Sequence, residues 1–232
     1  MQSARIRSMN LLAIDTSTDS CSVAASRGAC VYSRSEPAAQ RQAERVLAMV
    51  QEVLDEAQLG LEQIEGIAYG EGPGSFTGLR IAAGVTQGLA LARGIGVVGV
   101  GSLLALAQEA DEEKVIACID AHMGEVYHAA YRRTGARWEE ASAPGLYQPE
   151  AVPVPLEGGW SGYGDGFAAH GDRLAARLGD RISAVRAEAA PAARAVLTLA
   201  IPRFAAGEAK DAATAIPVYL RDKVALKTAE RR

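Results

Sequence analysis

The order of apolar and polar positions along the chain changes period several times, which predicts alternating strands and helices. Short apolar runs predict strands, because residues buried in a sheet recur at every position or every second position. Segments whose apolar residues recur every three or four positions predict helices. In the first half we predict strands at 10–14, 21–26, 29–33, 64–69 and 95–100, and helices at 38–57, 75–93 and 102–110.

The same order of elements starts again after residue 114. A strand at 115–119 ends at Asp120 and is followed by a turn and a returning strand, as the strand that ends at Asp15 is. The two aspartates are 120 − 15 = 105 residues apart, which is close to half the chain. We therefore predict two related halves, although a strand, an aspartate and a turn also follow one another by chance.

The rest of the second half is less regular. Residues 143–155 contain four prolines and are predicted to be loop or edge strand, and residues 158–166 are rich in glycine. Helical spacing returns at 167–178 and 192–206, and residues 217–221 form a short extended segment before a basic tail.

Composition narrows the functional classes. The 232 residues are 49% apolar and 22% charged, as in ordinary globular proteins, and the net charge is −4. Because proteins that grip nucleic acid by themselves usually carry a basic face, we expect any such contact to be indirect. Three cysteines without metal spacing indicate the reducing cytoplasm, and no apolar run reaches the roughly 20 residues of a membrane span. The first eight residues lack a signal-peptide pattern and are interpreted as a disordered lead.

Asp15, Thr16 and Ser17 form the first candidate site, with Asp120 as its counterpart in the second half. A carboxylate at a strand end, followed by hydroxyl and turn N–H groups, can hold phosphate and a metal-bound water. Actin-like ATPases and sugar kinases place their first phosphate loop in such a turn. The alternative is that the aspartate and serine bond only to their own turn. No histidine has a second ligand at i+3 or i+4, so we predict no metal site.

A glycine-rich loop at 70–74 precedes the helix at 75–93. Its N–H groups and the positive end of the helix dipole would suit an anion, although the lysine of a Walker loop is missing. The helix carries Gly78, Gly84 and Gly88, each of which costs about 0.5–1 kcal/mol relative to alanine. That cost is explained if another backbone approaches closely, from this chain or from a second protein.

Four segments, at 12–18, 70–81, 119–127 and 217–221, together resemble the TsaB (YeaZ) family. The resemblance runs over about residues 9–224 and implies an α/β fold, the duplicated RNase-H-like, actin-like ATPase (ASKHA) architecture. Its two subdomains would each have a mixed sheet flanked by helices. We expect the N-terminal subdomain at 9–102 and the C-terminal subdomain at 103–216, with 217–228 packing back on the first.

The resemblance also implies a function. In the sister family TsaD, the catalytic subunit, the strand after the glycine helix is followed by a metal-binding H-x-E-G-H motif, whereas residues 100–106 here contain no histidine. The chain is therefore interpreted as a non-catalytic subunit, and not a protease. Its complex would form N6-threonylcarbamoyladenosine beside the anticodon of tRNAs that read codons beginning with A. The alternative is a small actin-fold ATPase or kinase that uses Asp15 and Asp120.

Partners follow from the same resemblance. In this family the first two helices pack against matching helices of TsaD, or against a second copy when TsaD is missing. TsaE would join the complex as its ATPase, tRNA would be contacted only indirectly, and no membrane is involved. ATP or ADP is implied only at the subunit interface of the complex. The predicted interface residues are Val46, Leu47, Val50, Leu54, Phe76, Leu79, Ala83, Gly84 and Gly88.

Overall fold

In a computed structural model that describes residues 9–38 and 40–221, the chain forms two five-stranded sheets. The strands of the first sheet are β1 (Leu11–Asp15), β2 (Ser20–Arg27), β3 (Cys30–Pro37), β4 (Gly66–Gly72) and β5 (Gly96–Gly101). Those of the second are β6 (Lys114–Asp120), β7 (Val126–Thr134), β8 (Arg137–Tyr147), β9 (Trp160–Tyr163) and β10 (Ile182–Arg186).

The two sheets have the same topology. Their orders are β3-β2-β1-β4-β5 and β8-β7-β6-β9-β10. In each sheet the first three strands pair antiparallel, and the fourth and fifth are parallel to the first. This repetition confirms the predicted duplicated, actin-like α/β fold and makes β1 and β6 equivalent.

Helices cover both sheets. In the described ranges the α-helices are α1 (Gln42–Ala57), α2 (Phe76–Arg93), α3 (Ser102–Gln108), α4 (Gly166–Leu178) and α5 (Ala193–Ala205). Both α1 and α2 bury their apolar sides on one face of the first sheet, and α4 packs on the second sheet. The equivalent pairs are α2 with α4 and α3 with α5, because each pair occupies the same place in the strand order. In the described residues 148–159, between β8 and β9, no α-helix corresponds to α1.

The helices that follow the fifth strands pack on the sheet of the other half. Although α3 follows β5, it packs on β6 and β7, and α5 returns from β10 to pack on β1, β2, β4 and β5. Phe204 of α5 lies so close to Gly66 that a Cβ there would be 2.4 Å from its ring. We call the first sheet with α1, α2 and α5 the N-terminal lobe, and the second sheet with α3 and α4 the C-terminal lobe.

This crossing corrects the predicted domain boundaries. Residues 193–215, assigned from the sequence to the C-terminal subdomain 103–216, belong to the N-terminal lobe. The physical reason is that the second face of the first sheet is apolar, with Leu11, Ala13 and Val98 fully buried on it. The apolar side of α5 covers that face and removes it from water.

Most predicted elements agree with the structure to within a few residues. The prediction for α2 is confirmed at both ends, because the Ser75 hydroxyl accepts from the Gly78 N–H (3.3 Å) and Gly94 takes the left-handed conformation (φ +63°). Ser102 is the first residue of α3 and not its cap, which is Gly101. Strands β9 and β10 were not predicted from the sequence, and β8 was anticipated only in its last residues, as part of a loop or edge strand at 143–155.

Some predictions concern residues outside the described ranges. They include the lead at 1–8, residues 222–228 of the returning segment, and the basic tail with Lys223, Lys227, Arg231 and Arg232. The described part of the returning segment contacts both lobes, and the prediction that it packs on the first alone is corrected. The Val218 N–H donates to the Glu71 carbonyl of the N-terminal lobe at 2.6 Å, whereas Arg221 binds the Glu125 carboxylate of the C-terminal lobe at 2.8 Å. Within 9–38 and 40–221, none of the helices has both the length and the apolar character needed to span a bilayer.

Candidate functional site

A cleft of about 310 Å³ opens between the two lobes. It is lined by the turns at 17–19 and 120–123, by residues 74–77 at the start of α2, and by Tyr219 and Arg221. The turns that follow the equivalent strands β1 and β6 therefore meet at one cleft. Of the predicted nucleotide-site residues, Ser17 and Asp120 line it, whereas Asp15 and Thr16 do not.

Asp15 lies buried behind the cleft and not within it. Its Oδ1 accepts hydrogen bonds from the Ser17 N–H (3.0 Å) and hydroxyl (2.8 Å). Its Oδ2 points at Gly70, where a Cβ would lie 2.0 Å away, and has no hydrogen-bond partner in the described chain. Burial raises the pKa of Asp15 to about 6, because the charged form loses its hydration. Asp15 and Thr16 were predicted to contact a ligand, but in the structure both are buried behind the cleft and do not line it.

Thr16 and Ser17 join the β1 turn to the start of α2. The Thr16 hydroxyl donates to the Gly78 carbonyl (2.7 Å), and the Ser75 N–H donates to the Ser17 carbonyl (2.7 Å). A Cβ on Gly78 would lie 1.8 Å from the Thr16 carbonyl oxygen, and one on Gly74 would lie 2.2 Å from the Ser17 oxygen. Gly74 and Gly78 therefore allow the β1 turn to pack closely against the start of α2. The Ser75 N–H is already hydrogen-bonded within the chain and is not available to bind an anion.

Asp120 faces the cleft and is held by its neighbours. Its Oδ1 accepts from the His122 N–H (3.0 Å) and lies 3.2 Å from His170 Nε2, while its Oδ2 lies 3.1 Å from His122 Nδ1. The Asp120 N–H donates to the Asp165 carboxylate at 2.8 Å. His170 and Asp165 were not predicted as site residues, because they approach Asp120 only through the packing of α4.

The charges in the cleft disfavour a phosphate. Three carboxylates line it, those of Asp19, Asp120 and Asp165, and burial raises the pKa of Asp165. Arg221 also lines it, but its guanidinium already binds the Glu125 carboxylate at 2.8 Å. Among the residues that the structure describes, no three His, Cys, Asp or Glu side chains are placed to hold a metal ion. A nucleotide here would need cations from elsewhere, because like charges repel strongly in a partly buried site.

The second candidate site is the outer face of α1 and α2, where the predicted interface residues divide into two sets. Four are exposed, namely Leu47, Phe76, Gly84 and Gly88. The other five are buried, which removes them as partner contacts: Val46, Val50, Leu54 and Ala83 in the core of the N-terminal lobe, and Leu79 beside Gly72 at the end of β4. The reason is helical phase, since these five point at the sheet that the helices cover.

The exposed residues of α2 form one ridge. Phe76, Arg80, Gly84 and Gly88 are spaced four apart, so they lie above one another on the helix surface. A Cβ added at Gly84 or Gly88 would meet nothing of the described chain within 4 Å. Unlike Gly78, these two glycines have no neighbour in the described chain that requires their small size. The sequence prediction omitted Arg80, although the four-residue spacing is a signal that identifies it.

Cys118 and His128 pair across β6 and β7 but form no reactive couple. Both are fully buried, and burial raises the pKa of the Cys118 thiol and lowers the pKa of His128 to about 4. Neither ring nitrogen of His128 has a hydrogen-bond partner in the described ranges. A neutral thiol beside a neutral, inaccessible imidazole lacks the thiolate that nucleophilic catalysis needs.

Comparisons with known proteins agree along nearly the whole chain. The family model for TsaD, tRNA N6-adenosine threonylcarbamoyltransferase, matches residues 34–229. The tRNA threonylcarbamoyladenosine biosynthesis protein TsaB of Escherichia coli (strain K12) is 39% identical over 230 residues, covering 94% of this chain and 97% of that protein. The TsaB of Haemophilus influenzae is 35% identical over 236 residues, covering 96% and 98%. The solved structure of YeaZ from Pseudomonas aeruginosa is 40% identical with a TM-score of 0.85, covering 91% of this chain and all of that one.

Proposed function

The chain belongs to the TsaB/YeaZ family of tRNA threonylcarbamoyladenosine biosynthesis proteins, and from this premise we propose that it is a non-catalytic subunit that binds and supports a TsaD-type threonylcarbamoyltransferase. Family membership gives it a role in forming threonylcarbamoyladenosine in tRNA. Within the proposal, the modified adenosine lies beside the anticodon of tRNAs that read codons beginning with A. The complex works in the cytoplasm, includes TsaE, and leaves tRNA contact mainly to the partner.

The open α2 ridge is the observation that carries this proposal. Gly84 and Gly88 each cost about 0.5–1 kcal/mol relative to alanine in an exposed helix interior. No neighbour in the described chain needs the space they leave. Where α2 carries glycine in place of a larger side chain, a helix of a second protein can cross it closely, near the short end of the 8–10 Å range of helix packing distances. The two exposed glycines are thus better explained by contact with a partner helix than by exposure to solvent.

Apolar side chains around the ridge add to the same surface. Leu47 of α1 is 55% exposed and Leu91 of α2 is 59% exposed. Both helices cover the same face of the first sheet, so their outer sides look away from it together. A surface of this kind can bury the roughly 800 Å² per partner of a standard interface. When TsaD is missing, two copies would pair through the same ridge, because a two-fold axis brings one patch against itself.

The cleft supports a subunit without catalysis of its own. The alternative ATPase or kinase needs Asp15 beside the phosphates, whereas its carboxylate faces Gly70. If ATP or ADP binds, we place it at the subunit interface of the complex, where the partner can supply the cations that this cleft lacks. Phosphoryl transfer by the purified chain that disappears in Asp120→Asn would favour the alternative instead.

Substitution of Gly88 by leucine tests the proposed interface. The variant adds a large side chain to the ridge in open space, so the chain should fold as before while the partner helix is held away. We expect the Kd for the cognate TsaD, from calorimetric titration, to rise at least tenfold, about 1.4 kcal/mol. Light scattering of the variant alone should show a monomer where the wild type shows a dimer.

A matched control is available on the other lobe. Gly171 of α4, the residue after a kink at His170, also has nothing of the described chain within 4 Å of its Cβ position. Gly171→Leu should bind TsaD within twofold of wild type. A Gly88→Leu variant that binds as tightly as Gly171→Leu contradicts the ridge as the interface.

A further inference from the structure

Exposed apolar side chains are fixed in place at residues 216–219, beside the start of α2. Ile216, Val218 and Tyr219 are all exposed, and Tyr219 is 43% exposed. The backbone that carries them is anchored, because the Tyr69 hydroxyl donates to the Ile216 carbonyl (3.2 Å) and the Val218 N–H donates to Glu71. Apolar groups held outward on an anchored segment are typical of an interaction surface.

Tyr219 continues the α2 ridge. Its ring lies 5.6 Å from that of Phe76, at the N-terminal end of the ridge. The Arg80 guanidinium stacks over Phe76 at 3.6 Å and donates through Nε to the Tyr219 hydroxyl at 3.0 Å. Phe76 and Tyr219 also line the mouth of the cleft. The α2 ridge, which runs from Gly88 to Phe76, therefore ends at the cleft. There Phe76 and Tyr219 contact each other and both line the mouth.

Met123 stands on the opposite side of that mouth. It is 58% exposed and takes a left-handed backbone conformation (φ +56°), which is unusual for a methionine. Arg221 holds this turn, because its guanidinium donates to the Ala121 carbonyl at 2.9 Å and lies 3.1 Å from the Met123 sulfur. A flexible apolar side chain is thus presented to solvent by a constrained turn of the C-terminal lobe.

We propose that the partner subunit on the α2 ridge also seats on a rim formed by Phe76, Tyr219 and Met123, so that it contacts both lobes across the mouth of the cleft. This inference rests on the proposed function, since its occupant is the same TsaD-type subunit. The facing surface of that partner offers apolar side chains to the rim. It also offers a carboxylate to Arg80, whose Nη atoms have no hydrogen-bond partner within the described ranges.

The chemistry of the rim favours a protein over a nucleotide. Paired aromatic rings can stack on a base, but the three carboxylates behind the rim would repel the attached phosphates. Continuity with the ridge supplies the positive argument, because Gly88 and Phe76 lie on the same helix and a single subunit can cover both. Twelve residues separate these two positions, about 18 Å along the helix axis.

Truncation of the rim side chains tests the bridge between lobes. We expect Tyr219→Ala to raise the Kd for TsaD about tenfold and Met123→Ala several-fold, as for apolar residues near an interface centre. Tyr219→Phe keeps the ring and should bind within about twofold of wild type. Leu156→Ala is the control, since Leu156 is 94% exposed on a loop of the C-terminal lobe. In the wild-type complex, hydroxyl-radical labelling of Met123 and Tyr219 should fall while that of Leu156 does not, which checks the proposal without any substitution.

The outcomes separate this inference from the proposed function. The rim is not part of the interface, and the ridge stands, if Gly88→Leu weakens binding while both rim variants bind as tightly as wild type. In that case the labelling of Met123 and Tyr219 in the complex would also equal that in the free chain. If Tyr219→Ala weakens binding but Met123 is neither protected nor required, the partner stays on one lobe and the bridge is wrong. If neither the ridge variant nor the rim variants weaken binding, the proposed interface fails and this inference fails with it.

Discussion

Replacing Asp15 by asparagine should stabilise the protein at high pH and do so less as the pH falls. Asparagine keeps an oxygen that can accept the two hydrogen bonds from Ser17, and it carries no charge to desolvate. The carboxylate it replaces is fully buried, with one oxygen unpaired in the described chain. If Asp15 is a structural remnant of a phosphate loop, its charge is a cost that the fold carries at neutral pH.

The size of that cost follows from the pKa. Burial raises the pKa of Asp15 from 3.8 to about 6, a difference of about 2 units and therefore about 3 kcal/mol. Because the folded pKa is the higher one, the stabilisation by the bound proton is fully present below pH 3.8 and is lost as the pH rises through 6. The advantage of Asp15→Asn over wild type should thus be about 2–3 kcal/mol larger at pH 8 than at pH 4.

Urea denaturation of both proteins between pH 4 and pH 8 measures this difference. The His128 contribution cancels, since both proteins contain His128. Asp180→Asn is the control for the aspartate-to-asparagine change itself, because the Asp180 side chain is 91% exposed. A difference for Asp15→Asn that is flat over this range, or that falls as the pH rises, refutes the reasoning and means that the carboxylate has a cationic or hydrogen-bonding partner in solution.

Two further predictions concern His128 and the glycines of α2. Burial lowers the pKa of His128 from 6.5 to about 4, so its contribution to stability is present above pH 6.5 and is lost as the pH falls through 4. The stability of His128→Leu relative to wild type should therefore rise by about 3 kcal/mol between pH 7 and pH 4. A difference in urea denaturation that does not change with pH contradicts this. On α2, Gly78→Ala should destabilise by about 2–3 kcal/mol because its Cβ meets the Thr16 carbonyl oxygen, whereas Gly84→Ala should stabilise by about 0.5–1 kcal/mol. Thermal unfolding of the two variants checks the opposite signs.

The fold was predictable where local sequence decides it. The strands β1 and β6 are continuous apolar runs because both faces of their sheets are covered, and α2 has a serine cap and a terminal glycine. In contrast, β9 lies in a glycine-rich stretch that reads as a loop. Gly162 in β9 leaves room for the Phe167 ring, which would lie 2.6 Å from a Cβ added at this position. The boundary at 103–216 was wrong for a related reason, since no local signal says which sheet α5 will cover.

The candidate site was harder to predict because it depends on direction. Val46 and Leu47 are neighbours of similar chemistry, yet one is buried on the sheet and the other is exposed. The orientation of the Asp15 carboxylate depends on Gly70, which is 55 residues away in sequence. The rim needs a contact between Phe76 and Tyr219, which are 143 residues apart. Residue types and spacing gave the motifs, but only the packing decided which atoms face solvent.

The turn that resembles a phosphate loop and the open face of α2 are linked physically in this chain. The Asp15 carboxylate orders the turn through its two bonds from Ser17, and that turn holds the first residues of α2 through Thr16 and the Ser17 carbonyl. The same first turn of α2 carries Phe76, where the ridge meets the rim. The two hydrogen bonds that this buried carboxylate accepts therefore order the helix that carries the proposed interface, although its charge costs about 3 kcal/mol at neutral pH. In the equivalent turn of the C-terminal lobe, Asp120 orders the residues before Met123 through the His122 N–H. Both halves of the duplication thus use the aspartate at the strand end to order a turn at the cleft, next to a side chain of the proposed rim.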